Sequence, residues 1–395
     1  MAKSSVSLVR CADYDPARLR RAIAEALSLL TGLPDLAGGG KRVLLKPNLL
    51  SSNDPPERAV NTHPEFVRAV AEFFIARGWR VLIGDSCGSL APGSTGQAIR
   101  TTGLDRVAQA TGAEVVDFDR APSILAPIAG GRVLRTVKVP QIIREVDLFV
   151  TLPKLKTHGL TLCTGAVKNQ LGLVPGKGKK DIHLLAPKPE VLAEALLDIH
   201  SLVRPRLAVM DGIVAMEGNG PAAGRPRAVG LVIASADALS LDAVAAEIMG
   251  YDRGEVDTTR LGHERGLGIG RIEEIDVAGV PLNEAVVPDF KKPPRKVSSR
   301  LFKLMPNFLL RWMFDSVGAA VAEVMDDRCV LCGECVANCP AKAFKKVGGR
   351  MRADRRLCIS CYCCSEVCQR RAITMRRPLA GRALHALARL ARRSS

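Results

Sequence analysis

The chain has 395 residues, 47% of them hydrophobic and 4% aromatic, with a formal net charge of +17. At ~100–200 residues per domain, that length suggests two or three domains, with cores built from Val, Leu, Ile and Ala rather than from rings. No run of about 18 apolar residues occurs, which excludes a membrane-spanning helix. Residues 1–10 lead into Cys11 and a charged stretch, so no secretion signal is expected.

Residues 1–290 alternate short apolar runs with helical patterns. Strands are expected at 6–10, 42–46, 80–84, 114–118, 147–152, 207–210 and 230–234. Helices are expected at 16–30, 64–77, 190–203 and 238–249, with Pro64 as a start signal and Gly78 and Gly250 as stops. Residues 120–140 read as a hairpin around Gly130 and Gly131. Such alternation predicts an α/β domain with a largely parallel central sheet and flanking helices.

Four expected strands end in polar clusters: Lys46-Pro47-Asn48, Gly84-Asp85-Ser86, Pro153-Lys154-Leu155-Lys156-Thr157-His158, and Asp211-Gly212 followed by Glu217-Gly218-Asn219-Gly220-Pro221. Ligands of open α/β sheets bind outside the carboxyl ends of parallel strands. The residue types point to an anion. Lys46, Lys154, Lys156 and Lys168 are expected to converge as cations, and Gly165, Gly172, Gly176 and Gly178 would let backbone N–H groups approach it. Lys154, Lys156 and His158 are the candidate catalytic groups, His158 through proton transfer near neutral pH. Lys46, Asn48, Asp85, Lys168, Asn169, Asp211, Glu217 and Asn219 are the candidate substrate contacts. His183 is a further acid–base candidate, and Asp85, Asp211 and Glu217 are alternative ligands for a divalent cation. Taken singly, a lysine is more often a solvated surface group and a histidine more often structural, so the argument rests on the cluster. Cys87 and Cys163 read as inert small residues. Residues 172–178 lack Walker A spacing, and no G-x-G-x-x-G follows a strand, so neither a P-loop nor a dinucleotide site is indicated.

From Lys291 the composition changes. Residues 291–324 read as a basic linker and connector helix, the helix at 301–314 mixing apolar residues with Lys303 and Arg311, and 378–395 as a basic amphipathic tail. Residues 291–395 hold 23 Lys/Arg against 7 Asp/Glu, whereas residues 1–290 hold 34 against 33. The basicity therefore belongs to the C-terminal end. It suits an acidic redox partner or peripheral contact with an anionic membrane surface. Nucleic acid is not the expected partner, because no nucleic-acid motif accompanies the charge.

Within that end the same spacing occurs twice: Cys329-x₂-Cys332-x₂-Cys335-x₃-Cys339 and Cys358-x₂-Cys361-x₂-Cys364-x₃-Cys368. Each [4Fe–4S] cubane takes four thiolates, and in the two-cluster arrangement the remote cysteine crosses over. Cys329, Cys332, Cys335 and Cys368 would hold one cluster, and Cys358, Cys361, Cys364 and Cys339 the other. Zinc knuckles and disulfide frameworks do not call for this repetition. At an offset of 29 residues Ala343 matches Ala372 and Phe344 matches Ile373, a sign of internal duplication. Pro340 is answered by Gln369, whose N–H can reach a cluster sulfur. Cys363 falls outside the ligand register and reads as an extra thiol beside the ligands.

Residues 325–377 resemble a bacterial two-cluster ferredoxin, which implies a small α+β domain. The motifs Lys46-Pro-Asn48, Gly84-Asp-Ser86, Pro153-Lys-Leu-Lys-Thr-His158, Lys168-Asn169 and Asp211 with Glu217-Gly-Asn-Gly-Pro221 resemble the family called domain of unknown function 362. That resemblance implies an α/β domain at 1–290 fused to an iron–sulfur electron carrier, without a named reaction. Two readings follow. One is an oxidoreductase passing low-potential single electrons to an anionic small molecule in the α/β domain. The other is a non-catalytic carrier or assembly factor docking on a protein donor or acceptor. Thiolate ligands need a reducing compartment, so a cytoplasmic location is expected.

Overall fold

The computed structural model describes residues 4–33, 36–293 and 320–376. The chain divides into two compact units, Met1–Pro293 and Pro294–Ser395. The expected connector helix at 301–314, most of the linker and the tail at 378–395 lie outside the described residues. Among the described residues no helix is long and apolar enough to cross a membrane.

The strands of the first unit are β1 (Ser4–Arg10), β2 (Arg42–Pro47), β3 (Arg80–Asp85), β4 (Glu114–Asp117), β5 (Ser123–Pro127), β6 (Thr136–Pro140), β7 (Leu148–Leu152), β8 (Lys154–His158), β9 (Leu162–Cys163), β10 (Leu207–Glu217), β11 (Arg225–Ser235) and β12 (Ile275–Gly279). Its helices are α1 (Pro16–Ser28), α2 (Pro64–Ile75), α3 (Ser94–Thr102), α4 (Leu104–Thr111), α5 (Gly165–Asn169), α6 (Gly178–Leu185), α7 (Pro189–Val203), α8 (Ala238–Ile248), α9 (Asp257–Glu264) and α10 (Leu282–Ala285). Local chemistry sets the starts. Asp15 accepts from the Arg18 N–H ahead of Pro16, and Asp237 accepts from Leu239 and Ser240 at the head of α8. Apolar residues 19, 23, 26 and 27 fall on one face of α1 and are buried.

The central sheet runs β12-β1-β11-β10-β7-β2-β3-β4, with β8 added to β10 and β9 to β8. Its pairs are parallel except those of β11, which is antiparallel to β1 and β10, and the β8–β9 pair. Helices cover the sheet, so β7 is buried along its whole length, as parallel strands require. The expected α/β class with a largely parallel sheet is therefore observed, and residues 120–140 form the β5–β6 hairpin. Two strands outrun the sequence pattern. Beyond Asp211, β10 continues as a ribbon with β11, pairing Val214 with Ala228 and Glu217 with Arg225 after a register shift between Gly212 and Val214. The Lys154–His158 stretch, which reads as a polar exit loop, is a strand on β10.

The second unit contains β13 (Val321–Val324), α11 (Glu334–Ala337), β14 (Phe344–Val347), β15 (Arg350–Ala353), α12 (Cys363–Val367) and β16 (Ile373–Arg376). The offset of 29 residues carries β13 onto β15, α11 onto the start of α12 and β14 onto β16. It also carries the left-handed residues Leu331, Gly333 and Lys342 onto Ser360, Tyr362 and Arg371. Only one of these six is glycine. The other five take a conformation that costs L residues roughly 1–2 kcal/mol each, and the repeated fold holds both halves to the same backbone path. The halves interlock: β13 pairs with β16, and β14 with β15.

Candidate functional site

That interlocking gathers the cysteines. β14 follows Cys339 and pairs with β15, which leads to Cys358; β16 follows Cys368 and pairs with β13, which leads to Cys329. The last cysteine of each motif is thus delivered to the other motif. A small cavity is lined by Cys339, Cys358, Cys361 and Cys364, with Phe344 and Met375 supplying apolar wall. Burial, then the neighbouring Cys332, Cys368 and Cys329, pushes the Cys335 thiol up to about 11. Burial, then Cys361, Cys358 and Cys339, likewise raises Cys364. These two thiols resist ionising beside their neighbours, and iron, which takes thiolates, removes that cost. Among the described residues no three His, Cys, Asp or Glu close on a single ion. Thiols that each reach a different iron of a cubane need not do so. The donor set therefore fits iron–sulfur clusters.

Backbone donors reach the last cysteine of each motif. The Ala343 N–H points to Cys339 Sγ at 3.2 Å, and the Ala372 N–H to Cys368 Sγ at 3.3 Å. Cys363 Sγ turns back toward the Cys361 carbonyl at 3.9 Å.

At the carboxyl edge of the large sheet three of the candidate lysines, Lys46, Lys154 and Lys156, are buried and individually engaged. They do not form one open cationic cluster. Lys46 Nζ lies 2.7 Å from Asp85 Oδ1, both side chains 1% exposed. Burial pulls the Lys46 pKa down and the Asp85 pKa up, against their mutual attraction. Lys154 Nζ donates to Asp211 Oδ2 at 2.7 Å and to the Tyr14 hydroxyl at 2.8 Å. Tyr14 in turn donates to Asp211 Oδ1 at 2.9 Å, and the His63 N–H reaches Oδ2 at 3.0 Å. Lys156 Nζ donates to the Val60 carbonyl at 2.6 Å. His158 Nδ1 accepts from the Leu160 and Thr161 N–H groups, which commits that nitrogen to the local turn. Lys168, half-buried in the last turn of α5, lowers the Cys163 thiol pKa, which burial raises overall. Buried ammonium groups must be neutralised or hydrogen-bonded where they lie, and here Lys46, Lys154 and Lys156 each meet their own partner.

The asparagines clamp backbone. Asn169 Nδ2 donates to Thr151 Oγ1 at 2.9 Å and to the Lys46 carbonyl at 3.2 Å, while Asn48 Nδ2 donates to Asn169 Oδ1. Glu217 pairs with Arg225 at 2.7 Å and accepts from the Lys291 N–H, and Asn219 is exposed at the ribbon tip. Both stand apart from the Lys–Asp pairs. The glycines make room for side chains. A methyl at Gly172 would sit 2.1 Å from Asp85 Oδ1 and 2.6 Å from Lys46 Nζ. One at Gly165, whose φ is +66°, would meet the Asp242 carboxylate at 2.5 Å. Gly172→Ala is accordingly expected to cost about 1–3 kcal/mol by overpacking, read as a lowered denaturation midpoint.

Sequence reasoning missed Tyr14, His63, Asp119 and Lys179. The Tyr14 and His63 rings stack at 3.6 Å with 9° between planes. Burial, more than the nearby charges, holds the His63 pKa down to about 4, so this ring is neutral. Lys179 reaches Ser86 Oγ and the Cys87 carbonyl, and Ser86 Oγ donates to Asp119 Oδ1 at 2.5 Å. Asp15 and Pro64 flag helix starts; the residues just before them, Tyr14 and His63, sit at strand-to-helix turns on the site edge, which is the signal that would have found them.

Asp242 on α8 accepts from the Val167 N–H at 2.9 Å, and burial lifts its pKa to about 7. Raised above its ordinary value near 3.8, it contributes stability that is full below about pH 4 and is lost as pH rises through about 7. Asp242→Asn is expected to remove this slope, by at most on the order of 4 kcal/mol. Thermal unfolding of both chains across that range checks it.

The fold and cysteine sites define an iron–sulfur protein with an α/β domain. Residues 43–247 match the family model described as Domain of unknown function (DUF362), and residues 322–369 match the one described as 4Fe-4S dicluster domain. The chain belongs to the domain of unknown function 362 family. It is 34% identical to a thylakoid-associated protein of Synechocystis sp. over 296 residues, 73% of this chain and 88% of that protein. The lactate racemase apoprotein from Thermoanaerobacterium thermosaccharolyticum matches at 13% identity and a TM-score of 0.42, over 63% of this chain and 57% of that one.

Proposed function

We propose that the chain is a redox protein carrying two [4Fe–4S] clusters that pass low-potential electrons singly. Cys329, Cys332, Cys335 and Cys368 hold one, and Cys358, Cys361, Cys364 and Cys339 the other. Bound there, such clusters supply reversible one-electron storage. The carrying observation is the cavity lined by Cys339 together with Cys358, Cys361 and Cys364, because it unites thiols from both motifs. The protein's own part is to fix the thiolates, to aim the Ala343 and Ala372 N–H groups at two of the sulfurs, and to keep water from the enclosed site. Anaerobic preparation with iron and sulfide counting tests this: about eight of each per chain are expected, with absorbance bleached by dithionite. A colourless chain holding far fewer irons sinks it.

Electron carriage for a protein donor or acceptor is the reading the geometry supports best. Delivery of electrons to an anionic small molecule in the α/β domain remains the second reading, favoured by the setting of Lys46 and Lys154 at the carboxyl edge. It requires the ligand to displace Asp85 or Asp211 from its lysine. A reducing, cytoplasm-facing location suits the thiolates, and the thylakoid association of the Synechocystis relative makes peripheral contact with a membrane part of this proposal.

A further inference from the structure

The two cluster sites are built on one backbone plan yet differ in exposure. In the second, Cys361 is 7% exposed and Ser360 5%, and Ser360 Oγ donates to the Ala320 carbonyl at 2.6 Å, so the chain entering the unit crosses this loop. In the first, Cys332 is exposed, and the apolar Val330, Leu331 and Val336 around it are 55%, 39% and 43% exposed. Leu331 stands where the second half has Ser360, and Val336 where it has Ser365. Exposed aliphatic side chains grouped about one cysteine cost solvation unless another surface covers them. Arg328 and Arg370, both exposed, adjoin or nearly adjoin the ligands Cys329 and Cys368.

We infer that the loop from Val330 to Val336 is the docking surface for a redox protein that presents an apolar patch bordered by acidic side chains. This rests on the electron-carrier reading above. The aliphatic groups exclude water from the contact, and the two arginines steer the acidic border toward it. One electron leaves the partner's reduced cofactor and enters through the exposed site, and no bond is made or broken. The enclosed site is reached through the first.

The test uses the full chain, loaded anaerobically, and as probe a fully reduced, acidic, FMN-bearing electron-transfer protein, with absorbance bleaching followed by stopped flow. Val330→Asp combined with Val336→Asp is expected to slow bleaching about tenfold or more. Val347→Asp, at a 60% exposed apolar position outside the ligand loops, should change it less than about twofold. Dithionite, being small, should reduce all of these chains alike. Arg328→Glu with Arg370→Glu should flatten the salt dependence of the probe reaction. Equal slowing by Val347→Asp, an unchanged rate in the double aspartate variant, or wild-type reduction by dithionite but not by the probe overturns the inference. If the double aspartate variant fails to load iron, the arginine pair decides, and an unaltered salt dependence overturns it. A fully loaded wild-type chain that dithionite cannot reduce overturns the carrier reading itself.

Discussion

Asp211→Ala is expected to destabilise the α/β unit by about 3–5 kcal/mol. The Asp211 carboxylate takes Lys154, Tyr14, the His63 N–H and, at 3.3 Å, the Ile213 N–H. Lys154 and Asp211 are 1% and 0% exposed, so removing the acid leaves a buried ammonium with only the Tyr14 oxygen to meet it. Lys154→Met removes the opposite charge of the same pair. Combining it with Asp211→Ala should recover part of the loss, because the orphaned cation goes too. A denaturant titration of the four chains reads the coupling. Simple additivity would show that the pair does not act as one unit.

The second large effect concerns the exchange of cysteines between motifs. Cys339→Ala is expected to abolish the cluster bound by Cys358, Cys361 and Cys364, and to leave that of the first motif in place. Cys368→Ala should do the reverse. Each variant should fall from about eight irons per chain to about four, and the two should leave different paramagnetic spectra after reduction. If Cys339→Ala instead emptied the site of Cys329, Cys332 and Cys335, each motif would close on itself and the assignment would fail.

How much of this could be read from the residues differed between the units. Ligand spacing in the cysteine motifs is dictated by a rigid inorganic core, so the pattern survives in one dimension. The apolar runs at 43–45, 81–83 and 148–152 are parallel strands buried on both faces, and they stand out for the same reason. Lys154–His158 misled because its polar side chains look like an exit loop. They occupy a strand because Lys154 is met by Asp211 from β10, a contact far away in sequence. The continuation of β10 past Asp211 was hidden for a related reason: its partner residues Arg225–Ala228 are polar on one side and form a ribbon outside the apolar core. The carboxyl edge does gather polar residues, the Lys46–Asp85 and Lys154–Asp211 pairs among them. What local sequence could not carry was that Lys46, Lys154 and Lys156 each had an acid or carbonyl already assigned to them, since those partners arrive from other strands and loops.

The exchange of end strands between the two halves makes them depend on each other. The site proposed for Cys358, Cys361 and Cys364 draws its fourth thiol, Cys339, from the first motif. The site proposed for Cys329, Cys332 and Cys335 draws its fourth, Cys368, from the second motif, whose β16 pairs with β13. On the proposed assignment neither motif is self-sufficient: each centre borrows one thiol from the other half, so a chain cut between the halves is expected to hold no complete site.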